Sequence, residues 1–264
     1  MTAISTSAGD PARTLALLWR DPAVISRRGP RRSLQLDDVI AAATAIAHER
    51  GLAALTMREV ARALGVVPMT LYTYVPGKAE LLDLMLDAAY TQLPRTDTTG
   101  RPWRHRVATV ADENRALFAT HPWAATISTR RPPLGPGSIA KYEHELAAFD
   151  GLGLDEVTMD DCLTYLLDFV RANAAPADGV TSPGGAYEDE WWQTAGPLLD
   201  QYVDAARYPL ATRVGTAAGA AHGAAYQPEH AYRFGLARVL DGLATLIEGS
   251  RSRPTESGDA ADRD

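Results

Sequence analysis

The chain has 264 residues, enough for a sizeable core and two domains, with 46% hydrophobic and 22% charged residues, the balance of an ordinary globular protein. No apolar run reaches the ~18–20 residues that span a bilayer, which excludes a membrane-spanning helix, and LALL at Leu15–Leu18 is too short for a secretory h-region. The single cysteine, Cys162, excludes an internal disulfide framework and fits a reducing cytoplasm; set in a helical apolar pattern, it reads as a buried, inert thiol.

A net charge of −7 argues against a nucleic-acid binder, but the charge is unevenly spread. Between Arg13 and Lys78 there are ten basic residues against five acidic ones, a local +5. From residue 96 to the end there are fifteen against twenty-four, a local −9. A basic front on an acidic body suits a phosphate-facing module joined to a part that does not touch phosphate.

In chain order, residues 1–32 carry little pattern beyond a short amphipathic piece at Thr14–Arg20. Arg27, Arg28, Arg31 and Arg32 then bracket Gly29–Pro30, a flexible basic arm. Such an arm can enter a minor groove or make diffuse phosphate contacts, and the sequence leaves both open. A helix is predicted over Asp37–Arg50, with Val39, Ile40, Ala43, Ile46 and Ala47 on one face. Gly51 supplies its left-handed stop, and Leu52 is placed for a Schellman contact.

The next helix starts at Thr56 as N-cap, with Glu59 completing a capping box and Leu55 and Val60 forming a hydrophobic staple. It ends at Leu64, and Gly65 makes the turn. Another helix follows with Pro68 at its first position, where the missing N–H costs nothing. Ala61 fits the crossing point of two packed helices, and Val60, Leu64, Val66, Leu71 and Val75 supply a small core. The free face presents Thr70, Tyr72, Thr73 and Tyr74, with Met69 near its start. This is a helix-turn-helix laid out for a major groove. A further helix begins near Gly77–Lys78, with Leu81, Leu84, Met85 and Ala88 on one face.

From Trp103 onward helices are expected at 103–120, 122–130, 136–150, 156–174, 188–207 and 228–250. Ala174–Ala186 is Gly- and Pro-rich and reads as mobile; Gly215–Ala225 reads as frayed helix or loop; the tail after Ser250 reads as disordered. The expected fold is all-α: an arm over 1–32, a helix-turn-helix domain over 33–95, a ligand-binding and dimerisation bundle over 96–250 and a tail over 251–264.

The run VARALGVVPMTLYTYVPGKAELLDLML, from Val60, resembles the DNA-binding domain of the TetR family of transcriptional repressors over about residues 36–90. TLY at Thr70–Tyr72 and GK at Gly77–Lys78 carry the resemblance. The later helices are similar to the tetracycline-repressor-like C-terminal domain, with echoes in HPWA at His121–Ala124 and RFGLARVLDGL at Arg233–Leu243. The resemblance implies that Thr70 touches a base edge or phosphate, Tyr72 a phosphate or thymine methyl, and Lys78 a phosphate, aided by its helix dipole. Thr73 and Tyr74 would face the groove or its wall, Tyr74 serving equally well as half core, and Thr56, Arg58, Pro68 and Met69 would complete the DNA-facing set. Arg58 and Arg62 read as phosphate contacts or as solvated charges. One departure is Val67: many relatives carry a small polar residue there, so backbone N–H groups must serve in its place.

One helix-turn-helix makes few contacts, and two-fold dimers read two half-sites about 34–36 Å apart. Leu236, Val239, Leu240, Leu243 and Ile247 form one apolar stripe and Leu163, Leu166, Leu167 and Val170 another, a candidate four-helix dimer seam. Phe118, His121, Trp123, Tyr142, Tyr165, Phe169, Trp191, Trp192 and Tyr202 are candidate effector-pocket residues, each also readable as core. No close HxxxH or HxxE pair is present, so no metal or other cofactor is expected. The reading is a cytoplasmic homodimeric repressor of a double-stranded operator, released by an unidentified small molecule. The alternatives are a DNA-binding dimer without small-molecule control, or a helical enzyme with a fused DNA-reading domain. The last lacks a nucleophile–base pair, a P-loop or a metal cluster.

Overall fold

The computed structural model describes residues 10–23, 34–127, 131–174, 186–199 and 201–251, and its elements there are all helices. Arg27, Arg28, Arg31, Arg32, residues 175–185 and the tail beyond Arg251 lie outside the described residues. In chain order the helices are α1 (Pro11–Leu18), α2 (Leu36–Ala54), α3 (Met57–Ala63), α4 (Pro68–Tyr74), α5 (Lys78–Thr91), α6 (Trp103–Thr120), α7 (Pro122–Ala125), α8 (Pro136–Leu146), α9 (Glu156–Ala174), α10 (Ala186–Leu199), α11 (Pro209–His222) and α12 (Pro228–Arg251). They form two units: residues 1–175 with 239–264, and residues 176–238.

In the first unit, α2 buries Val39, Ile40, Ala43, Ile46 and Ala47 on one stripe, the face that the helical periodicity marks. The helix does not stop at Gly51. That residue takes φ 73°, ψ 168° inside the element, and a further turn runs on to Ala54 with Leu52 buried. The backbone breaks direction there without ending because only glycine reaches those dihedrals cheaply. Helix α3 opens as expected, the Thr56 hydroxyl accepting the Glu59 N–H at 3.1 Å. Glu59, however, turns its carboxylate to Arg62 and Arg50 rather than back to the cap. Val60, Ala61, Leu71 and Val75 are buried, whereas Leu64 and Val66 are only half-buried beside the Gly65 turn at φ 68°.

Helix α5 is apolar on more than the one face its sequence suggests. Leu81, Leu82, Leu84, Met85, Leu86, Ala89 and Tyr90 are all buried, and so are Glu80, Asp83 and Asp87. Helices α1, α2 and α8 pack around it, which makes it the axle of the unit. Helix α1, capped by Asp10, buries Leu17 and Leu18, and the indole N–H of Trp19 donates to the Leu134 carbonyl at 2.9 Å.

Three later elements are shorter than the periodicity indicates. Helix α7 ends at Ala125 because Thr126 and Ile127 close a tight turn that buries Ile127. Helix α8 ends at Leu146, where Phe149 N–H bonds the Leu146 carbonyl at 2.8 Å and drives Phe149 into the core. Helix α10 ends at Leu199, and Asp204 then takes the Ala206 N–H at 2.9 Å in an Asx turn. The Ala/Gly-rich stretch left open between helix and loop is helical to His222 and closes on a left-handed Gly223.

The candidate dimer stripes face mainly inward. Val239, Leu243 and Ile247 on α12 and Leu163, Leu166 and Val170 on α9 are buried within the protomer. Leu236, Leu240 and Leu167 are half-buried, and Leu246 is exposed beside them. On both helices the open surface is thus the flank of the stripe rather than its centre.

Candidate functional site

Helix α4 is a seven-residue rod held from behind by Leu71 and, at its C-cap, Val75, both fully buried. Its other sides are open. Val67, Pro68, Met69, Tyr72 and Thr73 are exposed, Met69 to 74%, and Thr70 and Tyr74 are half-buried. The Thr73 hydroxyl donates to the Thr70 carbonyl at 2.6 Å, which leaves its lone pairs outward. No side chain caps the helix, and neither end carries an acidic residue. The front of α4 is thus a neutral, hydroxyl- and ring-bearing surface; Pro68 brings no N–H and the Thr70 N–H donates to the Val67 carbonyl at 3.0 Å, which leaves the Met69 N–H at this end.

Around it stand the cations. Arg58 on α3 is exposed. Arg62 Nη2 and Arg50 Nη2 both lie 2.9 Å from Glu59 Oε2, and these two guanidiniums, Arg62 first, hold the Glu59 carboxyl down to about 2. Lys78 opens α5, and its ammonium donates to the Leu52 carbonyl at 2.9 Å. Burial lowers its proton affinity. An ammonium has three protons, so two remain for other acceptors, and the carbonyl contact fixes where they point. Thr56 is exposed at the start of α3, its hydroxyl accepting the cap N–H and keeping its own O–H to donate.

The candidate effector residues do not gather in one place. Phe118, His121 and Trp123 are buried around the α6–α7 corner, with 5.6 Å between the His121 and Trp123 ring centroids. Phe169 is half-buried. Tyr142 is exposed and donates to Asp160 at 2.7 Å; Tyr165 and Trp191 are exposed too, and Tyr202 is 83% exposed. Trp192 lines a cavity of about 430 Å³ between α10 and α11 in the second unit, with Pro197, Leu199, Val203 and Gly219.

What the sequence reading missed is a buried polar group in the first unit. Glu145, 1% exposed, accepts Lys141 Nζ at 2.6 and 2.7 Å and the Asn114 side-chain amide. Lys141 also lies 5.1 Å from the centre of the Tyr90 ring. Burial, chiefly, pushes the Tyr90 hydroxyl up to about 12, so it stays a neutral donor. Burial likewise lowers the proton affinity of Lys141. Arg171 extends the group, 5.9 Å from the Phe118 ring and bonded to the Ile127 carbonyl at 3.2 Å. Helices α5, α6, α8 and α9 thus bring donors, an acid and aromatic faces to one interior region. The only sequence signal is a lysine and a glutamate at i, i+4, a spacing that solvated helix pairs share.

The link from this region to the reading head is α5. Asp87 accepts the Ser138 N–H at 2.8 Å and so caps α8 from the neighbouring helix. The approach is close: a Cβ on Gly137 would lie 2.1 Å from the Asp87 carbonyl oxygen, and one on Gly135 2.4 Å from its carboxylate.

Comparison with known proteins agrees with this layout. The family profile described as "Bacterial regulatory proteins, tetR family" matches residues 39–85, and "Tetracyclin repressor-like, C-terminal domain" matches residues 94–247. The HTH-type transcriptional repressor DrrR1 of Streptomyces coeruleorubidus is 34% identical over 253 residues, covering 94% of this chain and 90% of that protein. Apo ActR from Streptomyces coelicolor superposes with a TM-score of 0.67 at 23% identity, over 84% of this chain and 100% of that one. ActR in complex with actinorhodin gives 0.66 at 25% identity, over 81% and 97%. With both family domains matched across the helix-turn-helix and the bundle behind it, the chain belongs to the TetR family of bacterial transcriptional regulators.

Proposed function

We propose that the chain is a cytoplasmic repressor that holds a pseudo-palindromic operator as a homodimer and releases it when a small aromatic molecule enters the first unit. The observation that carries this is α5: it opens with Lys78, anchored to the Leu52 carbonyl of α2, and its flank holds Asp87 against α8 beside the buried Lys141–Glu145 pair. A ligand that displaces α8 moves the helix on which the reading head is mounted. Repression is supported by the name of DrrR1, and an aromatic effector by the complex of ActR with actinorhodin. A coupling of about 1–3 kcal/mol, or 5- to 150-fold, is typical of such switches.

Thr70, Tyr72, Thr73 and the Met69 N–H form the groove-facing set, with Arg58 and Lys78 on flanking phosphates. The arm with Arg27, Arg28, Arg31 and Arg32 adds further phosphate contacts. Pairing through the flanks of α9 and α12 supplies the second head. The test is selection of a duplex from a random pool, followed by anisotropy titration with and without actinorhodin as first probe, and sedimentation for subunit number. A palindromic winner bound by two subunits and loosened by an aromatic ligand is expected. A monomer, or a chain that enriches no sequence, overturns the reading.

A further inference from the structure

The reading head and the body also meet away from α5, through two imidazoles. His48 Nε2 on α2 lies 2.9 Å from His121 Nδ1 at the α6–α7 corner, with ring centroids 5.0 Å apart and planes 25° from parallel. Trp123 closes the group, 6.3 Å from the His48 ring. A contact of this length is a hydrogen bond only if one ring brings an N–H and the other a lone pair. When both rings are imidazolium, N–H faces N–H and two positive charges meet in a half-dry joint.

The last turns of α2 connect that joint to the DNA-facing parts. Two residues past His48, Arg50 reaches Glu59 on α3 at 2.9 Å. Two more bring Leu52, whose carbonyl holds Lys78 at 2.9 Å. Five residues, 48–52, therefore tie the body to both the helix before α4 and the lysine at the start of α5.

We infer that the His48–His121 contact is a positioning joint that fixes the reading head on the body, and that protonating both rings opens it and weakens operator binding. The inference rests on the DNA-binding reading above. Charged groups on the surrounding helices include Glu49 and Arg50 on α2, Glu59 and Arg62 on α3, Lys78, Glu80, Asp83 and Asp87 on α5, Asp112, Glu113 and Arg115 on α6, and Asp168 and Arg171 on α9. Arg50, Arg62 and Glu59 are engaged with one another, Lys78 with Leu52, and Arg171 with Ile127 and Phe118. Among the described residues neither imidazole is hydrogen-bonded to a carboxylate that would favour its charge. Burial first, and then the charge of His48, lower the proton affinity of His121. The closed joint therefore excludes a proton that the open one accepts. Its contribution is complete above the ordinary imidazole value of 6.5 and is lost as pH falls below it.

The experiment measures affinity of the full chain for its selected duplex from pH 7.5 to 5.5 at constant ionic strength. One excluded proton limits the fall to about tenfold per pH unit. A loss approaching that slope is expected below pH 6.5. His48→Gln keeps a side-chain N–H donor but does not titrate; it should hold the neutral-pH affinity and flatten the profile. His48→Lys, charged throughout, should bind weakly at every pH. Thermal unfolding without DNA gives an independent readout: wild type should lose Tm relative to His48→Gln below pH 6.5. If the chain enriches no duplex, the regulator reading fails while the melting comparison still reads the joint. Parallel pH profiles for wild type and His48→Gln, in binding or in melting, overturn the inference.

Discussion

Asp87 on α5 accepts the backbone N–H of Ser138 at the start of α8, 2.8 Å away, so one helix supplies the cap that its neighbour lacks. Asp87 is buried and is drawn against the Gly135–Pro136–Gly137 entry to α8. Removing the carboxylate leaves a buried N–H unsatisfied. Asp87→Ala should cost about 1–3 kcal/mol in urea unfolding. Gly137→Ala should cost a comparable amount for the opposite reason, since its Cβ would meet the Asp87 carbonyl oxygen and the helices would have to part. If both variants unfold at the wild-type urea midpoint, α5 and α8 are not locked in this way.

Glu145 and Lys141 form a pair taken out of water, and each is costly without the other. Glu145→Leu or Lys141→Met alone should destabilise by about 3–5 kcal/mol, whereas the double variant Lys141→Met/Glu145→Leu should recover most of that loss. Chemical denaturation of the three proteins checks it through the interaction energy of the cycle. Additive losses would show that the two charges are independently solvated.

Lys78→Ala should weaken binding to every duplex and reduce the slope of log affinity against log salt by about 0.9 for each phosphate contact removed. Thr70→Ala should instead change which bases are preferred while leaving that slope in place. Anisotropy titrations at several salt concentrations, on the selected duplex and on scrambled DNA, separate the two. A change of base preference in Lys78→Ala would reassign that residue from phosphate to base readout.

The Glu59 carboxyl is held down to about 2 by Arg62 and Arg50, so its folded value lies below the ordinary 4.5. A depressed acid stabilises the fold above its unfolded value and loses that contribution as pH falls from 4.5 towards 2. Melting of wild type should decline faster across that window than melting of Glu59→Gln. The side chain is half-buried and open to solvent on one side, so the difference is expected to be small and to shrink in high salt.

The reading head was the most legible part of the chain because its signals are local. Thr56 caps α3 by a bond three residues long, Gly65 turns at positive φ, and Leu71 and Val75 anchor α4 from within the same short segment. The interior of the first unit was illegible for the converse reason. Nothing near Glu145 announces that Asn114, thirty-one residues earlier, will meet it, or that Lys141 will sit over Tyr90. Periodicity identifies an apolar face but not which neighbours cover it. The stripe of Val239, Leu243 and Ile247 could therefore be read as a dimer seam while being the protomer's own filling. Tyr142, Tyr165 and Tyr202 are exposed, and nothing in their local sequence distinguishes a lining aromatic from a surface one.

Gly51 and Gly137 are constrained in opposite ways. At Gly51 there is room for a methyl group, with no atom within 4 Å of where it would go, but φ of 73° bars it. At Gly137 φ lies outside the left-handed range, but the space is already taken. An amino acid of the opposite chirality, D-alanine introduced by semisynthesis, should thus find allowed dihedrals at residue 51, although natural L-substitutions would report the two glycines as equally intolerant.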